Sequence, residues 1–292
     1  MKKRFFFIVF CSLLALNAFS KAPQTQGETR LRIGTYNLRM QNMDKGDNAW
    51  PLRRARVVES INDNAFDIFG VQELTVDAEK DLAWSLERKY GAIFFSPYSQ
   101  DGIGGKAQGV FYDKKRFKLV SYHYFWPSDT PFEKTENDHF TDGSGRSYIR
   151  GGMCMVFKDK LSGKKIFFMG SHSIINKDDH LKYAHVYVDI EKQFNPEGYP
   201  SFYVGDLNAR VDNPVHRIYR EYWNDAADIV PERPCTMNAF STDPAKWDPA
   251  RHIDFIYYRN TGTPVRYECN QKLYDGFCAS DHFPVWADFI IN

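Results

Sequence analysis

Six short polar clusters break into apolar runs of this 292-residue sequence: Thr35-Tyr36-Asn37, Gln72-Glu73, Ser171-His172, Gly205-Asp206-Leu207-Asn208, His252-Ile253-Asp254 and Ser280-Asp281-His282. An Asp or Asn at the end of a strand is by itself ordinary turn chemistry. Six clusters mixing amide, carboxylate and imidazole are harder to ascribe to turns, and strands whose ends converge at one rim would bring them together. The mix suits phosphoester hydrolysis. A hard cation takes oxygen ligands, with Glu73 preferred and Asn37 assisting. An attacking water needs a carboxylate to orient and deprotonate it, and Asp206 backed by the Asn208 amide fits. His172 and His282 supply donors to developing negative charge, one of them protonating the leaving group. Asp254 is a carboxylate partner that would keep His282 cationic or in one tautomer.

Several candidate residues also have a plain structural reading: Asn37 and Asn208 as turn formers, His172 as a satisfied core histidine, Asp254 as a buried acceptor, and Arg150, which stands ahead of a strand, as a surface charge. His123, His139, His180, His185 and His216 lack motif context and read as solvent-facing or structural. Competing chemistries leave no signature. No Cys/His spacing suits zinc, no serine elbow is present, and Gly102-Ile103-Gly104-Gly105 lacks the Lys-Ser/Thr of a phosphate-binding loop.

The elements that must position the clusters are mostly strands. β-rich runs occur at 31–37, 68–72, 92–95, 109–112, 118–126, 152–157, 165–172, 201–205, 252–258 and 283–290, bounded mainly by Gly, Pro, Asp or Asn. Helical spacing appears at 50–63, 76–89, 177–193 and 213–223. Without strict strand-helix alternation or an internal repeat, this pattern predicts two packed sheets flanked by helices. Residues 127–150, polar and without periodicity, predict a long surface loop.

The first twenty residues stand apart. Lys2, Lys3 and Arg4 precede a nearly continuous apolar run from Phe5 to Phe19, and Ala18-Phe19-Ser20 offers a small-x-small cleavage site. Residues 1–20 are therefore expected to be a signal peptide and 21–30 a linker, with one domain over 31–292, exported to the periplasm or secreted, with no stable membrane span and acting as a monomer. Without residues 1–20 the chain carries 35 Lys and Arg against 37 Asp and Glu. Nucleic acid as a substrate is thereby disfavoured, since duplex binding through many phosphates draws on a basic excess. With Cys11 removed, four cysteines remain; Cys269 and Cys278 are the expected disulfide pair and Cys154 a buried thiol.

In their order TYNLR, GVQE, SH, GDLN, HIDFIYY and SDHFPV, the clusters resemble the endonuclease/exonuclease/phosphatase superfamily, whose fold is DNase I-like, over residues 31 to 292. The resemblance implies an α/β fold, a four-layered α/β sandwich of two mainly antiparallel sheets flanked by helices, and a Mg2+- or Mn2+-dependent phosphoester hydrolase. It places Asn37 and Glu73 at the metal, with Asp281 a further ligand. Asp206 and Asn208 look like the water-activating pair, His172 like the phosphate-binding or acid histidine, and Asp254–His282 like a charge-stabilising couple. Arg150 is similar to a phosphate-facing arginine of exported members. Two departures matter. Arg39 stands where abasic-site nucleases of the family carry Asp, and Ile174 stands where many exported relatives carry an acid, with Asn176 near enough to compensate at the substrate. A secreted nuclease, and a non-catalytic binding module on the same scaffold, are the alternative readings.

Overall fold

A computed structural model describes residues 28–41, 43–98, 107–134, 140–141, 147–175 and 177–291. The segment read as a signal peptide, most of the linker, Gly102 to Gly105, His139 and Asn176 lie outside the described residues. The first half of the chain runs β1 (Thr29–Asn37), α1 (Trp50–Asn64), β2 (Ile68–Leu74), α2 (Val76–Leu86), β3 (Tyr90–Phe95), β4 (Ala107–Asp113) and β5 (Phe117–Phe125). Two-residue strands β6 (Phe140–Thr141) and β7 (Ser147–Tyr148) follow. The second half runs β8 (Gly151–Asp159), β9 (Lys165–His172), α3 (Lys177–Phe194), β10 (Ser201–Asp206), α4 (Val215–Arg220), β11 (Asn224–Asp225), β12 (Asp254–Arg259), β13 (Arg266–Cys269) and β14 (Val285–Ile291). No described helix is long and apolar enough to cross a membrane.

One six-stranded sheet has the order β13-β14-β1-β2-β4-β3 and the other β11-β12-β10-β9-β8-β5. Each is antiparallel except for one parallel pair, β1–β2 in the first and β9–β10 in the second. Parallel neighbours end on the same side, so each sheet delivers two strand C-termini to one rim.

Side-chain alternation then builds the layers. Leu31, Ile33, Ile166, Phe168, Phe202, Val204, Ile256 and Val285 point into the core between the sheets. Phe167, Met169, Tyr203, Phe255 and Tyr257, one residue out of step, pack beneath α3 and α4. Tyr36, Phe69, Val71, Phe111 and Trp286 do the same beneath α1 and α2. Strands covered on both faces read as continuous apolar runs, which is why the sequence shows little polar alternation. The result is a four-layered α/β sandwich.

At the base, opposite the rim, Arg116 joins the sheets. It donates to both oxygens of Asp159 at the end of β8, and to Asp67 Oδ2 and Arg30 O on the other sheet's side. The buried guanidinium thus makes four hydrogen bonds drawn from both sides, the kind of pairing under which a buried charge is tolerated.

Two expectations are corrected. The four described cysteines are free thiols. Cys278 Sγ donates to Ser241 O and Cys269 Sγ to Cys235 O, so the expected pair faces different partners. The 127–150 stretch is also not uniformly a surface loop, because Ser128, Ile149 and Arg150 are buried.

Three histidines are locked inside as neutral rings. His180 Nε2 meets Ser173 Oγ and Tyr219 OH, His216 bonds Tyr257 OH and Ala209 O, and His252 Nδ1 bonds Pro234 O. Burial pushes His180 down to about 3 and His216 and His252 down to about 4. Because the folded values lie below the unfolded one near 6.5, the unfolded chain protonates first as pH falls. Each ring's contribution is complete above about 6.5 and declines toward the folded pKa by about 1.4 kcal/mol per pH unit. Denaturant unfolding of wild type and His216→Gln should therefore show the stability difference moving in the variant's favour as pH falls from 6.5 to 5. A difference constant over that window would contradict the buried neutral ring.

Candidate active site

The rim carries the top layer of the inter-sheet core, with polar side chains where the layers below are apolar. Asn37 continues the row of Leu31 and Ile33 on β1; His172 continues Ile166 and Phe168 on β9; Asp206 continues Phe202 and Val204 on β10; Asp254 shares a row with Ile256 on β12. Register fixes their neighbours, with Asp206 beside His172 on one flank and Asp254 on the other. Across the gap between sheets, Asn37 Nδ2 donates to Asp206 Oδ2 at 2.9 Å.

Glu73 reaches the rim by a different device. Simple alternation after Phe69 and Val71 would send it toward the helices. Instead β2 is bulged: Val71 pairs with Gly109 and Leu74 with Ala107, leaving Gln72 and Glu73 together opposite Gln108. Glu73 takes φ 62° at the bulge. A left-handed conformation costs a non-glycine residue about 1–3 kcal/mol, and such strain concentrates at functional sites. Arg39 (φ 54°) and Asn208 (φ 49°) sit in the same region of backbone space at the same rim.

Asp206 is buried and surrounded by donors. Oδ1 accepts from Asn208 N at 2.9 Å; Oδ2 lies 3.4 Å from His172 Nε2 and 3.8 Å from His282 Nε2. Burial alone would raise its pKa, but His172 and His282 reverse that and hold the carboxylate below its usual range. The tautomer of His172 follows from its other nitrogen. Arg150 Nη1 lies 3.0 Å from Nδ1, and a guanidinium only donates, so Nδ1 accepts and the proton sits on Nε2, facing Asp206. Burial and the Arg150 charge both lower the pKa of His172, which is therefore neutral. His282 is the opposite case. Its Nδ1 lies 2.8 Å from Asp254 Oδ2. Burial disfavours its charge, but Asp254, Asp281 and Asp206 outweigh that and raise its pKa well above the ordinary value, making it a cation. Burial lifts Asp254 to about 6, still ionised at neutral pH beside that cation.

Two groups of donors bear on a cation. Asp206, Asp254 and His282 offer ligand atoms within 4.8 Å of one another. Asp254 Oδ1 has no hydrogen-bond partner among the described residues, but Asp254 Oδ2 is engaged by His282, and a metal at His282 Nδ1 would have to displace that 2.8 Å bond. The oxygen set fits a hard cation better. Glu73 Oε2 accepts from Met40 N at 3.1 Å while Oε1 has no hydrogen-bond partner among the described residues, and His172, His282 and the Met40 amide overcome burial to keep the carboxylate ionised. Asn37 Oδ1 and Asp281 are oxygen donors on the same rim, but each carries a competing bond: Arg39 N donates to Asn37 Oδ1 at 3.0 Å, and Arg39 Nη1 lies 3.5 Å from Asp281 Oδ2. Glu73 is left as the principal ligand candidate.

The rim thus brings together Asn37, Glu73, Arg150, His172, Asp206, Asn208, Asp254, Asp281 and His282. Only Asn176, outside the described residues, is not placed. Arg150 is a buried partner of His172 rather than a surface charge. The sequence reading missed several supports. Arg53 on α1 is wholly buried and donates to the carbonyls of Leu38 and Arg39 behind Asn37. Thr236 Oγ1 accepts from the Asp254 amide, and Ser280 Oγ donates to Asn37 O. Arg53 sits in an ordinary helical pattern, and Thr236 in a loop without periodicity, so neither carries a sequence signal. Beside His172 and Glu73 opens a cleft bordered also by Tyr98, Gln108, Ile149 and Arg150.

The sequence matches no curated protein sequence. Among solved structures, it resembles an endonuclease/exonuclease/phosphatase family protein from Bacteroides thetaiotaomicron, with TM-score 0.78, 22% identity, and coverage of 91% of this chain and 100% of that one. A mannosyl-6-phosphatase from the same organism matches with TM-score 0.75, 22% identity and coverage of 90% and 100%. TDP2 from D. rerio, solved with a single-strand DNA product, matches with TM-score 0.68, 17% identity and coverage of 89% and 99%. At these identities the likeness is one of fold. The sequence itself matches the model of the Endonuclease/Exonuclease/phosphatase family over residues 34–282, most of its length, and the chain belongs to that family.

Proposed function

We propose that this chain is an exported, divalent-metal-dependent hydrolase of phosphoesters. The observation that carries the reading is the Asp206 carboxylate, buried, held ionised and flanked by a neutral and a cationic histidine. Membership of the family, and fold neighbours named for phosphatase activity or solved with a DNA product, support phosphate-ester chemistry. The near-even charge of the chain without residues 1–20 makes nucleic acid the less favoured substrate. The basic and apolar N-terminal pattern of residues 1–20 supports export.

Glu73, with Asn37 and Asp281 beside it, would hold Mg2+ or Mn2+, which when bound neutralises phosphoryl charge and acidifies water. The chain's own groups divide the remaining work. Arg150 and the Nε2–H of His172 donate to phosphoryl oxygens. Asp206 orients the attacking water; a carboxylate held so firmly ionised is a weak base, so its larger contribution is alignment, with the water's proton passing to it as the new O–P bond forms. As the bond from phosphorus to the leaving oxygen breaks, His282 gives that oxygen its Nε2 proton, and Asp254 stabilises the charge on the ring before transfer. Asn208 fixes Asp206 through its backbone N–H.

Asp206→Asn should reduce hydrolysis of bis(p-nitrophenyl) phosphate or p-nitrophenyl phosphate by about 10²–10⁴-fold with the fold intact by circular dichroism. Full activity in this variant, or in excess chelator, would end the hydrolase assignment. Titration calorimetry with Mn2+ separates the two donor sets: Glu73→Gln should weaken binding by at least about tenfold, whereas Asp254→Asn should change it little. The reverse order would place the cation at the Asp206–Asp254–His282 cluster.

A further inference from the structure

Gln108 has no part in the chemistry above, and its surroundings do not account for it. It lies on β4, on the same inter-sheet face as Val110, opposite Phe95 on one side and the Gln72–Glu73 bulge on the other. Its side chain is buried at 4% exposure, yet neither Oε1 nor Nε2 has a hydrogen-bond partner among the described residues. A buried amide left unpaired on both sides is costly, and a native structure that keeps one calls for an explanation. The residue borders the cleft that also touches Glu73, Arg150 and His172. Its neighbours there, Pro97, Tyr98, Ala107 and Ile149, offer no charge that would call for an amide.

We propose that Gln108 is a specificity-determining residue whose amide hydrogen-bonds a hydroxyl of the leaving alcohol, so that the preferred substrates are phosphate esters of small polyhydroxylated alcohols. The proposal rests on the phosphoester-hydrolase reading and deepens it. Bound phosphate held by Arg150 and His172 would direct the ester's alcohol into the adjoining cleft. An amide presents one acceptor and one donor side by side, and a hydroxyl or vicinal diol offers the complementary pair. An alkyl or acyl leaving group would bury Gln108 unsatisfied, and an ammonium would demand a carboxylate, for which the described residues of the cleft border supply only Glu73, already assigned to the cation site. A site built to bond a hydroxyl rejects the analogue lacking it, because its own polar atoms are then left unpaired.

The test compares wild type with Gln108→Leu in Mn2+ on glucose 6-phosphate and on cyclohexylmethyl phosphate, which keeps the ring and loses the hydroxyls. A second hydroxylated arm, myo-inositol 1-phosphate, separates a sugar from a cyclitol. Wild type should favour a hydroxylated ester in kcat/KM, and Gln108→Leu should lower that preference at least tenfold. Removing an unpaired buried amide should also raise Tm by about 2–4 °C, a gain that a structural glutamine would not give. An unchanged preference, or a lower Tm with both esters slowed equally, would overturn the assignment of Gln108. Wild type active on bis(p-nitrophenyl) phosphate but inert toward both hydroxylated esters would also overturn the assignment, and wild type inert toward these esters, p-nitrophenyl phosphate and bis(p-nitrophenyl) phosphate alike would overturn the hydrolase reading as well.

Discussion

The hydrogen bond from Asn37 to Asp206 is where the two sheets meet at the rim, and much of the site depends on it. Below it the inter-sheet space is filled by Ile33, Val204, Phe168 and their neighbours. At the last layer those positions become Asn37, Asp206, His172 and Asp254. Polar groups in so enclosed a layer must satisfy one another or a ligand, because an unpaired buried group costs about 1–3 kcal/mol. The network is therefore both the closure of the core and the surface to which the proposed chemistry is assigned. Arg116 plays the corresponding part at the base, so the sheets are clamped at both ends by polar contacts around an apolar middle.

Holding that layer in place demands backbone geometry that ordinary strands do not supply. The bulge at Gln72–Glu73 turns a side chain that alternation would have sent to the helices back into the rim. Arg39 and Asn208 adopt left-handed conformations just beyond the ends of β1 and β10. Gly205 lets the end of β10 approach β9 so closely that a Cβ there would lie 2.0 Å from Ser171 O, with Asp206 and His172 as the next residues on each strand. The parallel pair can bring a carboxylate and an imidazole together at this distance because one of the two strands lacks a side chain immediately below.

How much of this the sequence disclosed follows from which constraints are local. The six polar clusters are local, and the strands that carry them were legible as apolar runs with definite ends. Helices α1 and α3 follow their periodicity closely, whereas α4 is confined to Val215–Arg220 because its flanks turn rather than wind. Strand β13 was missed: four residues, with only Tyr267 buried, give too little pattern. Gln108 escaped because β4 begins two residues earlier than its apolar run, with an inward glutamine rather than an apolar residue at that level. Arg53 and Thr236 act through backbone carbonyls and amides, whose location depends wholly on tertiary folding. The cysteine pairing failed for a related reason, since nearness along the chain does not fix which way two thiols face.

The two histidines show how identical side chains acquire different protonation from their neighbours. At His172 the second nitrogen meets a guanidinium, which has only protons to give, so the ring must accept there and stay neutral. At His282 the second nitrogen meets a carboxylate, which has none, so the ring must donate there and gains from being charged. Exchanging Arg150 and Asp254 would exchange the roles. The proposed roles of acid and phosphate donor thus rest on the residues behind the histidines, and Asp206, lying within 4 Å of both rings, is the point where the two states meet. Arg39 acts in the same manner on the oxygen donors: by pairing with Asp281 it withdraws one carboxylate from the rim's negative charge and leaves Glu73, aimed by the bulge, as the candidate cation ligand least engaged elsewhere.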